Sequence, residues 1–196
     1  DGVTVKSYKT MDGQRAATVT LANVVVAEDQ LLNGVGEGLD LVDQVMPSML
    51  MALSAEALGI MSTLNSITVD YSKTRQQFGA PIGSFQVLQH RMVDTFMACE
   101  QAKSMLYRSL CQANECAADA AVDTTEFMKS VHALKVTMAK AGKQIGEEAI
   151  QLHGGIGLTD ELNIGHFVKR LMTINVTLGD RDFHQKKFNQ LSYSAS

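Results

Sequence analysis

The sequence predicts a mainly α protein, an antiparallel up-down four-helix bundle preceded by the last strands of a β-domain. Three observations carry that expectation. Of 196 residues, 45% are hydrophobic and 19% charged, with mean hydropathy near zero, the balance of a soluble globular chain with one sizeable core. Only two prolines interrupt it, Trp is absent, and eleven methionines sit among many Ala and Leu, which favours helix over sheet. Beyond about Leu39, apolar residues recur every three or four positions, whereas strand-like patterning is confined to the first 32 residues.

Val3-Thr4-Val5 alternates with polar neighbours, Asp12-Gly13 marks a turn, and Ala17 to Val26 is rich in Val and Thr, so a hairpin or two strands of a sheet are expected. So short a sheet is not independently stable. Because the chain opens at Asp1 directly into it, it is expected to be a piece of a longer polypeptide. Asn33-Gly34-Val35-Gly36-Glu37-Gly38 then sets a domain boundary, with residues 1–35 on one side and 36–196 on the other.

Leu41, Val45, Met49, Leu53, Ile60, Leu64, Ile67 and Tyr71 mark one helix from about Leu39 to Arg75, longer than about 50 Å at 1.5 Å per residue. Pro47 is expected in its first turns or at a kink. Phe78-Gly79-Ala80-Pro81-Ile82-Gly83 breaks the pattern, and Ser84 reads as the N-cap of a second helix reaching about Ala117. A polar stretch follows, with residues 120–125 expected as a mobile loop. A third helix runs from Thr125 to Leu152 and is stopped by Gly154-Gly155. A fourth spans about Asp160 to Val176, and a short fifth follows Asp180. Short connections make these an antiparallel bundle, and no internal period supports a helical repeat instead.

A net charge of -4 and a pI near 5.7 provide no field for phosphate backbones, so nucleic acid is not an expected partner. Cys99, Cys111 and Cys116 form an odd count without metal-ligand spacing and read as reduced thiols of a cytoplasmic protein. Val45 to Met61 comes nearest to a membrane span, but Ser48, Ser54 and Glu56 interrupt it; no span and no signal peptide are read. His90, His132, His153, His166 and His184 do not pair at metal-binding spacing. No metal is expected, and surface or capping roles are assigned to them.

Tyr71-Ser72-Lys73-Thr74-Arg75-Gln76-Gln77-Phe78-Gly79 ends a helix in a cluster of donors. Arg75 offers a planar fork to a phosphate and Gln77 a neutral donor. A helix C-terminus that attracts cations explains Lys73 and Arg75 equally well without a ligand. In Gln151-Leu152-His153-Gly154-Gly155-Ile156-Gly157 the glycines admit a bulky or flat ligand beside the Gln151 amide, or simply stop the helix. The order is not G-x-G-x-x-G after a strand, which excludes that dinucleotide fold. Met46 to Met61 is either the lining of an acyl pocket or core. Asp180, Arg181 and Asp182 hold a candidate carboxylate base, or a charged turn.

Taken together, Arg75-Gln76-Gln77-Phe78-Gly79, Gly83-Ser84-Phe85-Gln86-Val87-Leu88-Gln89-His90, Gln151 to Gly157, and Arg170-Leu171-Met172 resemble the C-terminal half of the acyl-CoA dehydrogenase family. Order and separation agree along nearly the whole chain. By this resemblance residues 1–35 are the end of a middle β-domain and 36–196 a C-terminal helical bundle. Within the family the wording is similar to small subunits of two-component bacterial enzymes, pimeloyl-CoA dehydrogenase among them.

The resemblance implies FAD, an acyl-CoA thioester substrate of fatty acid type, and α,β-dehydrogenation, with a carboxylate taking the α-proton and the β-hydrogen leaving as hydride to flavin. It also implies an electron-transfer flavoprotein as acceptor and a homo- or hetero-oligomer, dimer or tetramer. Arg75, Gln77, Phe78 and Gln86 match positions that contact the FAD of a neighbouring subunit, and Gln151, Gly154 and Gly155 match the other strip reaching it. The family's usual catalytic glutamate aligns with Asp182, one methylene shorter and followed by Phe183-His184 rather than small residues. Where members place the base on the first long helix, Met49 stands here, and Leu50 stands at a CoA-binding arginine. Three expectations result. One is a working dehydrogenase with Asp182, or secondarily Asp180, as base. Another is a non-catalytic or half-catalytic subunit lending Arg75, Gln77 and Gln151 to a partner chain's flavin. The third is a flavin-independent helical interaction domain.

Overall fold

A computed structural model describes residues 1–32, 34–119, 121–159 and 161–193. Strands β1 (Val3–Lys9) and β2 (Arg15–Leu21) form an antiparallel hairpin registered from Val3↔Leu21 to Lys9↔Arg15. The second strand stops at Leu21 and not at Val26. Asn23 adopts φ 53° there, and a left-handed residue breaks the period-two pleat whatever the β propensity of the valines beyond it.

Helix α1 (Gly38–Thr74) is continuous over 37 residues. Pro47 lies buried inside it, where it supplies no N–H to the carbonyl of Asp43, and the helix carries on. By length and composition alone α1 would suffice to cross a bilayer. Its stripe of Ala57, Met61 and Leu64 instead meets Cys99, Ala102 and Leu106 of α2 (Gln86–Ala118) and Leu134, Met138 and Ile145 of α3 (Thr125–His153) in a single core. The methionines thus divide. Met61 is core, whereas Met49 is exposed, and Leu50 is sealed in the bundle at 1% exposure.

Ser84 does not cap α2. Phe85 takes the N-cap position, and the Ser84 hydroxyl donates 2.6 Å to the carbonyl of Pro81 within a 3-10 turn, Ile82–Ser84. Helix α4 (Ile164–Val176) starts later than expected. Asp160, the expected start, lies outside the described residues, as does Ala120 of the expected loop. Helix α5 (Arg181–Tyr193) matches α4 at 13 residues and lies against α3. Helix α3 therefore touches all four others, and buried residues run along most of its length.

The hairpin is fastened to the bundle at its tip. The Arg170 guanidinium on α4 donates from Nε and Nη2 to both carboxylate oxygens of Glu56 on α1, at 2.6 and 2.7 Å, and from Nη1 to Asp12 at 2.7 Å. The Asp12 side chain is 1% exposed and also accepts from the Thr10 hydroxyl. This planar, three-way arrangement is one that an arginine fork can satisfy and an ammonium cannot.

Candidate functional site

Where α1 ends, two short strands, β3 (Gln76–Gln77) and β4 (Ala80–Pro81), pair antiparallel around a two-residue turn. Phe78 and Gly79 have φ of 54° and 79°, both positive as this tightest hairpin requires. Phenylalanine is a poor choice for that backbone, and the residue is 94% exposed, with its ring edge-on to Phe85. A strained residue that holds a bare aromatic ring in solvent points to a contact surface.

Against this turn lies the end of α3. Tyr71, Arg75, Gln77, Phe78, Gln151, His153, Gly154 and Gly155 share the lining of one open cavity of about 350 Å3. Six of the seven expected cofactor residues thus converge from segments about 75 positions apart. Gln86 opens α2 outside that lining. The two positive residues that the helix-end explanation joined now separate. Lys73 is paired with Asp70 at 2.9 Å, whereas the exposed Arg75 guanidinium has no hydrogen-bond or ion-pair partner among the described residues.

The two glycines separate in the same way. Gly154 ends α3 with φ 64° and ψ -143°, a conformation essentially restricted to glycine, so the fold itself requires it. Gly155 has no positive φ, and a Cβ there would meet nothing within 4 Å. Neither backbone nor packing asks for glycine at 155, and its lack of a side chain keeps the cavity wall open.

His153 lies beneath this wall. It is buried, its ring is stacked on Tyr71 at 4.3 Å, and Nδ1 donates to the Ala149 carbonyl at 2.7 Å. That bond leaves Nε2 as an acceptor, and Nε2 has no partner among the described residues. Arg91, which also lines the cavity, is already paired with Glu148 at 2.7 Å. Sequence reasoning missed the Tyr71–His153 stack and Arg91, because nothing along the chain indicates that residues 82 positions apart share a wall.

Asp182 is elsewhere. It lines a separate open groove with Lys140, Lys143, Asp180 and Arg181 that shares no residue with the Arg75 cavity. Its carboxylate is exposed beside Arg181 at 3.2 Å. Asp180, the second candidate base, is committed to the fold: its Oδ1 accepts from the Phe183 backbone N–H at 2.8 Å, as an N-cap of α5 does.

The turn that carries Asp180 to Asp182 is gripped from below by α3. Lys135 is buried, and its Nζ donates to the carbonyls of Ile174, Asn175 and Thr177, the last at 2.9 Å, closing the C-terminus of α4. Burial pushes its amine down to about 8, with Asp180 pulling the other way. Leu178 follows in a left-handed conformation, φ 59°, with its carbonyl accepting from His184 Nε2 at 3.0 Å. His184 Nδ1 is 2.9 Å from Nδ1 of His132.

Of the surface or capping roles expected, His132, His153 and His184 are buried rather than at the surface, although His153 does bond a carbonyl in the last turn of α3 as a capping residue would; His90 and His166 are exposed. Helical spacing alone does not reveal that each finds a partner in another segment or a carbonyl one turn back. Burial disfavours a charge on either ring, and with both neutral and His184 Nε2–H donating to Leu178, Nδ1 of His184 accepts from Nδ1–H of His132. Burial, reinforced by His184 and Lys187, holds the His132 imidazole down to about 4, and burial lowers His184 as well.

The unfolded chain protonates His132 near pH 6.5, whereas in the fold this ring takes a proton only at about 4, and His184 is shifted in the same direction. Unfolding free energy is thus expected to be level between about pH 6.5 and the region near pH 8 where the buried Lys135 amine begins to titrate, and to fall by on the order of 2–3 kcal/mol as pH drops towards 4. Urea titrations across this range check it. His132→Leu should flatten the slope; an unchanged slope would assign the acid sensitivity to other groups.

Comparison with known proteins agrees with this architecture. Residues 36–187 match the acyl-CoA dehydrogenase C-terminal domain. The chain is 33% identical over 174 residues to the acyl-CoA dehydrogenase IpdE2 of Mycolicibacterium smegmatis, covering 87% of this chain and 50% of that protein. The ChsE4-ChsE5 complex of Mycobacterium tuberculosis superposes with a TM-score of 0.86 at 20% identity, over 97% of this chain and 49% of that one. A structure of PigA with FAD and proline superposes with a TM-score of 0.88 at 23% identity, over 100% of this chain and 50% of that one. The chain spans about half the length of these relatives, and the match carries the family rather than a pimeloyl specificity. With a bundle of this topology and a family match across residues 36–187, the chain belongs to the acyl-CoA dehydrogenases and carries their C-terminal helical domain.

Proposed function

We propose that this chain is the C-terminal portion of an FAD-dependent acyl-CoA dehydrogenase, in which residues 1–35 end the middle β-domain and the Arg75 cavity faces the dinucleotide. The unpaired guanidinium of Arg75 carries this reading. Lining a cavity whose Gly155 has no structural reason to be glycine, it has a charge to offer and no partner among the described residues to receive it.

The residues fit the group. Arg75 suits a pyrophosphate through paired charge-assisted hydrogen bonds, and Gln77 and Gln151 add neutral amides. The bare face of Phe78 offers apolar area to a ring, and the orphan acceptor of His153 suits a hydroxyl or amino donor. Bound FAD would supply the hydride acceptor for α,β-dehydrogenation of an acyl-CoA thioester. This chain's own part is to hold it, to keep its phosphates neutralised, and, if Asp182 is the base, to take the α-proton on a carboxylate oxygen. An electron-transfer flavoprotein is the proposed electron acceptor and the cytoplasm the proposed compartment.

A second reading has its own support. Asp182 is exposed and leans on Arg181, while Leu50 and Met49 leave α1 without a carboxylate or an arginine at the positions the family uses. That distribution favours a half-catalytic subunit completing the flavin site of a different chain, an arrangement for which the two-chain ChsE4-ChsE5 complex is a precedent of fold.

Anaerobic titration of the flavin-loaded, full-length protein with a panel of acyl-CoAs separates the two. Flavin bleaching that disappears in Asp182→Asn makes this chain a dehydrogenase with an aspartate base. Bleaching only after a second family chain is added makes it half of a shared site. Purified protein that neither holds flavin nor bleaches with any partner chain overturns both.

A further inference from the structure

The position of Asp182 is set by backbone. Its side chain is 74% exposed, and its one ion pair among the described residues is with its neighbour Arg181, so the carboxylate stands wherever the chain beneath it is held. That chain leaves α4 at Val176 and reaches α5 through residues 177–180, with Leu178 and Gly179 both left-handed at φ 59° and 104°. A leucine in that region is strained and persists only where its surroundings overrule the strain. A Cβ at Gly179 would stand 2.5 Å from the Phe183 ring, so the turn is also pressed against the start of α5.

The surroundings that overrule it belong to α3. His132 and Lys135 lie three residues apart, on one face of that helix. Lys135 Nζ bonds the carbonyls of Ile174, Asn175 and Thr177, and His132 reaches the next carbonyl, that of Leu178, through His184. Four carbonyls, spanning the end of α4 and the strained turn, are thus fixed from one side. This is a costly way to close a helix. A glycine after the last helical residue does so without help from any side chain, whereas here a buried ammonium has given up water with no carboxylate bonded to it among the described residues. Stability alone does not call for such a charge, because apolar side chains of similar volume commonly serve a core as well or better. Fixed placement of the segment that follows does call for it.

We propose that Lys135 is a positioning residue that fixes the turn carrying Asp182 and so sets that carboxylate against the α-carbon of the substrate, an inference that rests on the reading of Asp182 as the base. Buried beneath the turn, Lys135 acts through the backbone.

The test uses the full-length, flavin-loaded protein, the acyl-CoA that bleaches it, and two readouts. In Lys135→Met the rate constant of bleaching at saturating acyl-CoA should fall at least about tenfold, since small displacements of a reacting group are amplified in rate, while the half-saturating concentration stays within about twofold of wild type. Amide hydrogen exchange read by mass spectrometry should rise at least about tenfold in peptides covering residues 177–184 and stay at the wild-type rate in those of α2. Lys135→Arg, which keeps a cation beneath the carbonyls, should recover part of both. If Lys135→Met does not yield folded protein, Lys135→Gln, neutral but still carrying N–H donors, should show the same split at smaller amplitude. Faster exchange with bleaching at the wild-type rate would leave Lys135 as a structural cap and overturn the proposal, as would exchange in the turn that is unchanged or rises no more than that of α2. Bleaching unaffected in Asp182→Asn, or absent from the wild-type chain, is a different failure: it removes the base reading and this inference with it, whatever Lys135→Met does to exchange.

Discussion

Replacing Arg75 by glutamate is expected to weaken flavin binding by the full-length protein at least about tenfold while moving its melting temperature by no more than about 2 °C. Charge-assisted hydrogen bonds from a guanidinium are worth about 1.5–3 kcal/mol, and reversal adds repulsion against a phosphate. The fold has little to lose. Arg75 holds the C-cap of α1 through its backbone, whose N–H donates to the Tyr71 carbonyl at 2.9 Å, and its side chain has no partner among the described residues. Surface changes of that kind stay within about 0.5 kcal/mol. Gly155→Val should reproduce the effect by filling the cavity wall, again with little change in melting, since a side chain has room there. Gly154→Val, one residue earlier, should destabilise the fold because of its positive φ. Flavin absorbance after gel filtration and a calorimetric melt read the two quantities separately. Flavin retained at wild-type affinity in Arg75→Glu would leave the arginine as a helix-end cation and remove the observation on which the functional reading rests.

Removing Arg170 is expected to produce the largest loss of stability, a melting temperature lower by roughly 5–10 °C in Arg170→Met. The substitution strands a carboxylate that is 1% exposed at Asp12 and frees Glu56, whose side chain remains partly in water and counts for less. Arg170→Lys should recover only part, because one ammonium cannot serve Glu56 in a fork and still reach Asp12. The hairpin should also become a substrate for trypsin at Lys6, Lys9 and Arg15, which the clamp restrains. The Thr10 hydroxyl, and after it Arg170, hold the Asp12 carboxyl down to about 2. This contribution is therefore complete above the ordinary carboxylate range and is lost only as pH falls through about 2, well below the histidine window. A melt and a cleavage rate both equal to wild type in Arg170→Met would show the clamp to be energetically idle.

The residues disclosed the helices better than the capping. Spacing at three and four positions marked α1, α2 and α3 to within a few residues, because each buries a long continuous stripe. It failed where backbone conformation decides. Ser84 has the chemistry of an N-cap but spends its hydroxyl on Pro81, and the valines after Leu21 have strand propensity but follow a left-handed turn. At the candidate site the donors were readable from type and order, and Arg75 and Gln151 do line one cavity. What separates Arg75 from Lys73, or Gly155 from Gly154, was not readable. Those differences lie in an absent partner and in the sign of one dihedral angle. The buried pair His132 and His184, 52 positions apart, leaves no mark on local periodicity at all.

The clamp at Arg170 also orders events in time. Its three side chains lie 114 and 158 residues apart along the chain, with Asp12 made first and Arg170 last. During synthesis the hairpin and α1 leave the ribosome long before the guanidinium that joins them exists. The tie between Asp12 and the bundle therefore closes only after α4 has been made and has docked on α3. Until then Asp12 is a carboxylate without its partner and stays in water, so that its burial is one of the late events of folding.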